Sequence, residues 1–258
     1  MAAPDVPMYP ERAEGFVERH TFSALVVALG LALSGWFIGQ GFVKGRAADR
    51  FVSVKGVAER EVKADLALWP IRFVAADDDL ARAQARIGEN ATKVRAFLQS
   101  NHIDPARAEL QEFEVTDTRA NPYGGRDAAT RYIISQTIMV RSNEPDVVFE
   151  ASQKVSDLVT SGVVLSSGPA GPGGGGPTFL FTKLNDLKPT MIAEATAAAR
   201  QAAEQFAKDS SSVLGGIRQA SQGLFVILPR DQAPGVQEQQ QRVKTVRVVS
   251  TVEYYLKD

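Results

Sequence analysis

The residues that could carry acid–base or nucleophilic chemistry are few in this chain of 258 residues. It contains no cysteine, which excludes disulfides, thiolate metal sites and cysteine nucleophiles. Of its two histidines, His20 borders a long apolar run, so a serine–histidine–acid triad would have to use His102. No G-x-S-x-G or H-E-x-x-H motif accompanies His102. Its place in Asn101–Pro105 predicts a solvated or capping histidine in a turn that ends a helix.

Acidic residues form two groups that could bind a cation or act as a general acid and base. Asp77–Asp79 offers the oxygen ligands that hard cations prefer, but it directly precedes a helical pattern, which favours helix capping instead. The second group lies on a predicted strand, where carboxylates usually face solvent, and comprises Glu109, Glu112, Glu114 and Asp117. A ligand-binding or hydrolytic domain that uses Glu112 or Asp117 is the alternative hypothesis for this protein. We assign no catalytic, cofactor-binding or metal-ligating residue.

Three polar or glycine-rich segments predict loops. The glycine run Gly171–Pro177 lacks the Lys-Ser/Thr of a phosphate-binding loop and no helix follows it at once, which favours a flexible connection between strands. Asn121–Arg126 predicts a long hairpin tip with an exposed tyrosine and arginine, and such tips often contact partners; an ordinary loop is the competing interpretation. Gln232–Gln241 predicts a mobile hairpin loop.

Overall composition is that of a globular protein, with 44% hydrophobic and 23% charged residues. The net charge is −1, from 29 basic and 30 acidic residues. Proteins that bind nucleic acid usually show a strong basic excess, so this balance predicts no nucleic-acid partner. About 200 residues follow residue 50, enough to bury a substantial core.

Residues 22–43 contain no charged side chain. As a helix they would extend about 33 Å, which is enough to cross the bilayer core of about 30 Å. A cleaved signal peptide would have a shorter apolar core and a less acidic preceding region, and a buried core helix is seldom so uniformly apolar. We predict a short tail at 1–21, a transmembrane helix at 22–43, a link at 44–50 and one α+β domain at 51–257.

The orientation of this helix is not fixed by its flanking charges. Arg12 and Arg19 precede it, whereas Lys44, Arg46 and Arg50 follow it, which by number alone would keep the C-terminal side in the cytoplasm. Long domains are translocated largely regardless of local charge. We therefore expect the tail in the cytoplasm and the domain outside it.

Hydrophobic periodicity alternates between two and about 3.6 residues along 51–257, which predicts the order ββ-α-ββ-α-ββ-α-ββ. Strand pairs separated by single helices predict an α+β fold of mainly antiparallel sheets with helices packed on one face. The predicted helices begin near Asp79, Asn143 and Asp186. The predicted strands are 51–60, 65–75, 108–118, 131–142, 163–168, 177–183, 216–228 and 242–257.

Local signals refine this plan. Pro70 cannot donate a ladder hydrogen bond, so its strand should lie at an edge or bend there. A phase change between Leu110 and Phe113 predicts a β-bulge, Asn143 predicts a helix cap, and Gly215–Gly216 predicts the end of the third helix. The inward face of that helix is predicted to comprise Ile192, Ala195, Ala199, Ala202 and Phe206.

The start of the predicted domain carries two short motifs, Phe51-Val52-Ser53-Val54-Lys55-Gly56 and Ala64-Asp65-Leu66-Ala67-Leu68-Trp69-Pro70. With Ala58–Val62 between them, they resemble the V-x-G-x-A/G-x strand and the P-D/A-x-A strand of the bacterial SIMPL-domain family. Lys63-Ala64-Asp65 stands where many relatives have a proline before the aspartate, and Ala48-Asp49-Arg50 resembles the membrane-anchored subgroup. The likeness spans residues 50–257. It implies a secreted or periplasm-facing domain that tends to form oligomers, with no accepted catalytic site and a loose link to envelope stress.

Together these features predict a non-enzymatic protein anchored in the bacterial inner membrane by residues 22–43, with its C-terminal domain in the periplasm. Exposed strand edges can pair between subunits, so self-assembly into a homo-oligomer, or binding of another envelope protein, is the expected use. The alternatives are the carboxylate-based ligand-binding or hydrolytic domain described above and an oligomeric, channel-like assembly.

Overall fold

The computed structural model describes residues 14–47, 50–120, 130–166 and 175–257. The predicted hairpin tip and residues 171–174 of the glycine run lie outside the described residues. Its contacts divide the chain into two compact units. One comprises residues 1–53, 203–219 and 253–258, and the other comprises 54–202 and 220–252.

The structure confirms the predicted α+β fold, but the second predicted helix is divided in two and the predicted strand 216–228 is divided into two strands. The helices are α1 (Glu14–Ala47), α2 (Leu80–Ser100), α3 (Pro145–Gln153), α4 (Ser156–Thr160) and α5 (Leu184–Asp209). The strands are β1 (Phe51–Lys63), β2 (Leu66–Asp77), β3 (Ala108–Asp117), β4 (Tyr132–Ser142), β5 (Val164–Leu165), β6 (Thr178–Leu180), β7 (Val213–Gln222), β8 (Val226–Pro229) and β9 (Val243–Lys257). Short 3₁₀ turns occur at Pro105–Arg107 and Glu238–Gln240.

Helix α1 contains an apolar stretch, Leu25–Phe42, with a mean hydropathy of 1.7 and none of its residues buried. This stretch lies inside the predicted transmembrane segment, and the helix extends beyond it at both ends. Within the described part of the chain, α1 is the one helix long and apolar enough to span a bilayer.

One sheet, here called the β4 sheet, has the order β3-β4-β2-β5, with β6 also paired to β2. Neighbouring strands in this sheet are antiparallel. Alternate residues of β2 and β4 face helix α2, as period-two strands with one buried face require. The core of this sheet includes Trp69, Ile71, Phe73, Ile87, Val94, Leu98, Ile134, Ile138, Val148 and Phe179.

Pro70 occupies a gap in the pairing of β2. The strand is paired along its whole length with β4, but on its other side β6 pairs with Leu66–Leu68 and β5 with Phe73–Val74. Ser166 donates to the carbonyl of Arg72 on that side, and alternate residues of a strand face the same neighbour, so the nitrogen of Pro70 faces the unpaired gap. Proline is therefore tolerated inside this sheet at no cost in ladder hydrogen bonds.

The other sheet, here called the β9 sheet, has the order β1-β9-β7, with β8 also paired to β9. A second core lies on it, made of Ala58, Met191, Ala195, Val246 and Val248. The predicted inward face of α5 is wrong in part: Ala202 is exposed and Phe206 is 53% exposed. The buried residues follow a spacing of four and are Met191, Ala195, Ala199, Ala203 and Ala207.

Two boundary predictions are also wrong. Gly215–Gly216 does not end α5 but lies in β7, where a Cβ on Gly215 would come within 2.9 Å of the Tyr255 carbonyl oxygen. The helix ends earlier, at Asp209, and Ser211 turns the chain with a left-handed φ of 55°. Asn143 is not the cap of α3, because Glu144 holds that position and its N–H donates to Ser142 Oγ.

Candidate functional site

Two of the four carboxylates of β3 lie beside Arg72 on the outer face of the β4 sheet. The predicted bulge is confirmed at Glu112, which has a left-handed φ of 42° and is the extra residue in the register with β4. The guanidinium of Arg72 lies 3.7 Å from Glu112 and 3.2 Å from Glu114. It also donates to Ser135 Oγ at 3.2 Å, and Thr137 donates to Glu112. The two carboxylates thus share one arginine, and the three side chains form an ion-pair cluster on the surface of the sheet.

Arg72 was not found from the sequence. A single arginine at an outward position of a strand forms no motif, and only the pairing of β2, β4 and β3 brings it beside the glutamates. The alternation of β2 did indicate an outward side chain there. It could not indicate which residues of a strand 40 positions later would lie opposite.

The other two acidic residues of β3 lie elsewhere. Arg131 donates to the Asp117 carboxylate at 3.1 Å at the base of the hairpin, and this hydrogen bond lowers the pKa of Asp117 despite partial desolvation. Glu109 lines a shallow depression of about 320 Å³ with Arg107 and Arg141. The four acidic residues therefore do not converge on one pocket.

A second depression, of about 250 Å³, is lined by two arginines whose charges are already paired. Arg230 forms an ion pair with Asp231, and Arg242 pairs with Asp146 while stacking over the ring of Phe149 at 4.1 Å. No buried side-chain nitrogen or oxygen among the described residues lacks a hydrogen-bond partner. The second depression therefore presents no unpaired arginine charge to a ligand.

Asp77–Asp79 forms the start of α2, as capping predicts. Asp79 is the N-cap and accepts from the Arg82 N–H at 2.9 Å. Asp77 accepts from the Asp79 N–H and pairs with Arg82 and Arg86 at 2.9 and 3.3 Å. The hydrogen bond from the Asp79 N–H is the largest cause of the lowered pKa of Asp77, and the hydrogen bond from Arg82 adds to it.

His102 lies in the turn after α2 and is exposed, with a left-handed φ of 62°. Its N–H donates to the Gln99 carbonyl at 3.1 Å, which helps to end the helix. The interpretation of His102 as a helix-ending residue is confirmed. Among the described residues no group of three or more His, Asp or Glu side chains is arranged to hold a metal ion.

Asp65, the aspartate of the second motif, joins the start of β2 to the segment after β6. Its carboxylate accepts from the N–H and from the hydroxyl of Thr182, both at 2.6 Å. Burial would raise the pKa of Asp65, but the two Thr182 hydrogen bonds outweigh it and hold the pKa below its ordinary value of 3.8. The motif aspartate is thus a structural link rather than a catalytic acid.

This link makes a prediction about pH. Because the folded pKa is lowered, the stabilisation by Asp65 is complete above its ordinary pKa and is lost as pH falls through the folded value. Asp65→Asn should lower the free energy of unfolding by about 1 kcal/mol at pH 7, since hydrogen bonds to a partly exposed charged group are worth less than buried ones. Urea unfolding followed by tryptophan fluorescence should show the difference from wild type shrinking below about pH 4. A difference that is the same at pH 7 and pH 3 would contradict this role.

Three long strands lie at the ends of the two sheets: β3 in the β4 sheet, and β1 and β7 in the β9 sheet. Between Glu109 and Thr116 every residue of β3 is exposed, and Leu110, Phe113 and Val115 are each about half exposed. Most residues of β7 are exposed as well. Terminal strands present unpaired N–H and C=O groups that can pair with another chain.

Gly56, in the first motif, sets the distance between β1 and α5. A Cβ at this position would lie 1.9 Å from the Ala195 carbonyl oxygen and 2.4 Å from the Ala199 nitrogen. No side chain fits there, so glycine lets the strand lie directly on the backbone of the helix. Ala58, two residues later, lies in the same core. The motif is therefore explained by close packing.

Comparisons with known proteins test the family resemblance of these motifs. No curated protein matches the chain. Among solved structures, the crystal structure of the regulatory subunit of aspartate kinase from Thermus flavus is similar at 13% sequence identity. The likeness covers 78% of this chain and 89% of that chain. Its TM-score is 0.19, which is too low to support a conclusion about fold or function. Residues 52–254 match SIMPL, described as a protein of unknown function (DUF541), and this chain therefore belongs to the SIMPL family.

Proposed function

We propose that this chain is a non-enzymatic, single-pass protein of the bacterial inner membrane whose SIMPL domain lies in the periplasm. There the domain forms a homo-oligomer or binds another envelope protein, in a role linked to envelope stress. Residues 22–43 hold it at the membrane.

The observation that carries the proposal is the exposure of β3, whose apolar side chains stand next to a buried core. Leu110 lies opposite Ile138 and Val115 opposite Ile134 in the β3–β4 register, and both isoleucines are fully buried. The apolar face of the β4 sheet thus continues onto an exposed terminal strand. Proteins that stay monomeric usually shorten, cover or charge such strands.

Attachment to a membrane is supported by helix α1. An 18-residue apolar stretch without burial is unfavourable in water, at about 25 cal/mol for each Å² of exposed apolar surface, and is stable in a bilayer. The stretch ends at Phe42, ten residues before the family match begins at Val52. This short separation supports a domain held close to the membrane surface.

The alternative of a hydrolytic or ligand-binding domain has less support. It needs carboxylates that converge on a pocket and are not neutralised. Glu112 and Glu114 instead share Arg72, and Asp117 pairs with Arg131. A channel-like assembly is one form that self-assembly could take, and the same measurement addresses it.

The test is the mass of the full-length chain extracted from membranes in a mild detergent, with and without chemical crosslinking. We expect the 27.8 kDa chain to sediment with the membrane, to keep its N-terminal segment, and to give particles that contain several chains. Two results would contradict the proposal. One is a monomer at all concentrations that captures no partner, and the other is a soluble mature chain that begins after residue 43.

A further inference from the structure

The outer side of β1 is a regular strand edge. Residue exposure alternates without interruption from Phe51 to Lys63, which excludes a bulge within the strand. β1 is the first strand of the β9 sheet, and no described strand pairs with its other side. It therefore offers a straight row of unpaired backbone groups.

The register with β9 decides which residues of β1 point to that free side. Leu256 donates to the Arg50 carbonyl, and Arg247 forms an ion pair with Glu59 at 2.5 Å. Both contacts fit one antiparallel register, in which the even-numbered residues of β1 bond to β9. Because backbone groups alternate between sides, the N–H and C=O of Lys55, Val57 and Glu59 face outward.

We propose that β1 pairs with β1 of a second copy of this chain, antiparallel and about a two-fold axis at Val57. This inference rests on the proposed function and adds to the exposed β3 a second surface, on the β9 sheet, at which chains of the homo-oligomer meet. In this register Val57 lies opposite Val57 of the partner copy, and Lys55 lies opposite the partner copy's Glu59. The ion pair occurs twice by symmetry, and each Glu59 then lies between Arg247 and the second copy's lysine.

Charge distinguishes this register from the two that are centred on the next outward residue on either side. An axis at Lys55 would place two lysines opposite each other, and an axis at Glu59 would place two glutamates opposite each other. With the axis at Val57, all outward backbone groups from Lys55 to Glu59 find partners, and the unlike charges are adjacent. The two β9 sheets then form one continuous sheet across the axis.

The other terminal strands do not fit a second copy of themselves as well. Pairing β3 with itself would bring together two strands that each carry Glu109, Glu112 and Glu114, and the bulge at Glu112 interrupts the edge. The outward residues of β7 include no acidic side chain to face Arg218 of another copy. Self-complementary charge is a property of β1.

The absence of cysteine in this chain allows a direct test with the full-length protein in native membranes. Opposed residues of a hydrogen-bonded antiparallel pair have Cα atoms about 5.5 Å apart, which is within disulfide range. Val57→Cys should therefore form a disulfide on mild oxidation and shift from the 27.8 kDa chain to a band of twice that mass. Val159→Cys, at a position on α4 that is 57% exposed, is the control and should stay at the mass of one chain.

Two further variants test the register. Lys55→Cys alone should not crosslink, since the two copies of this position lie about 14 Å apart, whereas Lys55→Cys coexpressed with Glu59→Cys should crosslink. Lys55→Glu places a glutamate opposite Glu59 of the other copy at both symmetry-related positions and should weaken dimerisation about tenfold. The fluorescence of Trp69 should stay unchanged, because Lys55 is exposed.

The outcomes separate this inference from the proposed function. An oligomeric wild-type chain in which Val57→Cys crosslinks no more than Val159→Cys overturns the β1 interface and leaves self-assembly in place. Crosslinking of Lys55→Cys alone also overturns the register. A monomeric wild-type chain overturns the β1 interface, and one that also captures no partner overturns the proposed function.

Discussion

Gly56→Ala is expected to lower the free energy of unfolding by about 3 kcal/mol or more, which is the upper end of the cost of overpacking a core. The added methyl would lie 1.9 Å from the Ala195 carbonyl oxygen and 2.4 Å from the Ala199 nitrogen. Both are backbone atoms of α5, so no side chain can rotate away and the helix itself must move. Urea unfolding of the detergent-solubilised chain, followed by the fluorescence of the buried Trp69, measures the change.

Gly88→Ala is the matched control for this change. Gly88 lies in the exposed middle of α2, and a Cβ there meets no atom within 4 Å. Alanine should stabilise the helix by about 0.5–1 kcal/mol, because glycine is a poor helix former. If Gly56→Ala is as stable as wild type within about 0.5 kcal/mol, the direct contact between β1 and α5 is wrong.

Glu238→Ala should have the second large effect, a loss of about 3 kcal/mol in the free energy of unfolding. Lys244 of β9 is fully buried, and its ammonium forms an ion pair with the Glu238 carboxylate and donates to the Glu238 carbonyl at 2.6 Å. Removing the carboxylate leaves a buried positive charge with only a neutral acceptor. Urea unfolding measures this loss too.

Lys244→Met in the Glu238→Ala background should recover most of the lost stability, because an apolar side chain of similar length needs no partner. Glu194→Ala is the control for charge removal alone. Glu194 pairs with Arg60, but both side chains are more than a third exposed, so the loss should stay below about 1 kcal/mol. Equal losses for Glu238→Ala and Glu194→Ala would show that burial of Lys244 does not matter in solution.

The element order could be predicted from the sequence because hydrophobic spacing is a local property. Strands need a period of two and helices a period of about 3.6, whatever they pack against. The bulge in β3 was also predicted, since the extra residue at Glu112 shifts the alternation on either side of it. Capping by Asp79 followed in the same way from an acidic residue directly before a helical pattern.

The inward face of α5 was predicted only in part, because the usual rule places large side chains inward. In this helix the buried row is alanine, and Phe206 is outside. Close contact with Gly56 requires small residues at that surface. Likewise Gly215 suggested the end of a helix. In the structure it lies in β7, where the absence of a side chain leaves room for Tyr255 of β9.

The sequence by itself determined the apolar stretch in α1, the order of strands and helices, and the family motifs, all of which depend on neighbours within a few residues. Only the tertiary structure decided that Glu112 and Glu114 share Arg72, that Asp65 binds Thr182, and that Lys244, in the strand after a loop predicted to be mobile, is buried. The physical reason is that ion pairs and close contacts depend on the register between strands that are distant in sequence. Local spacing carries no information about that register.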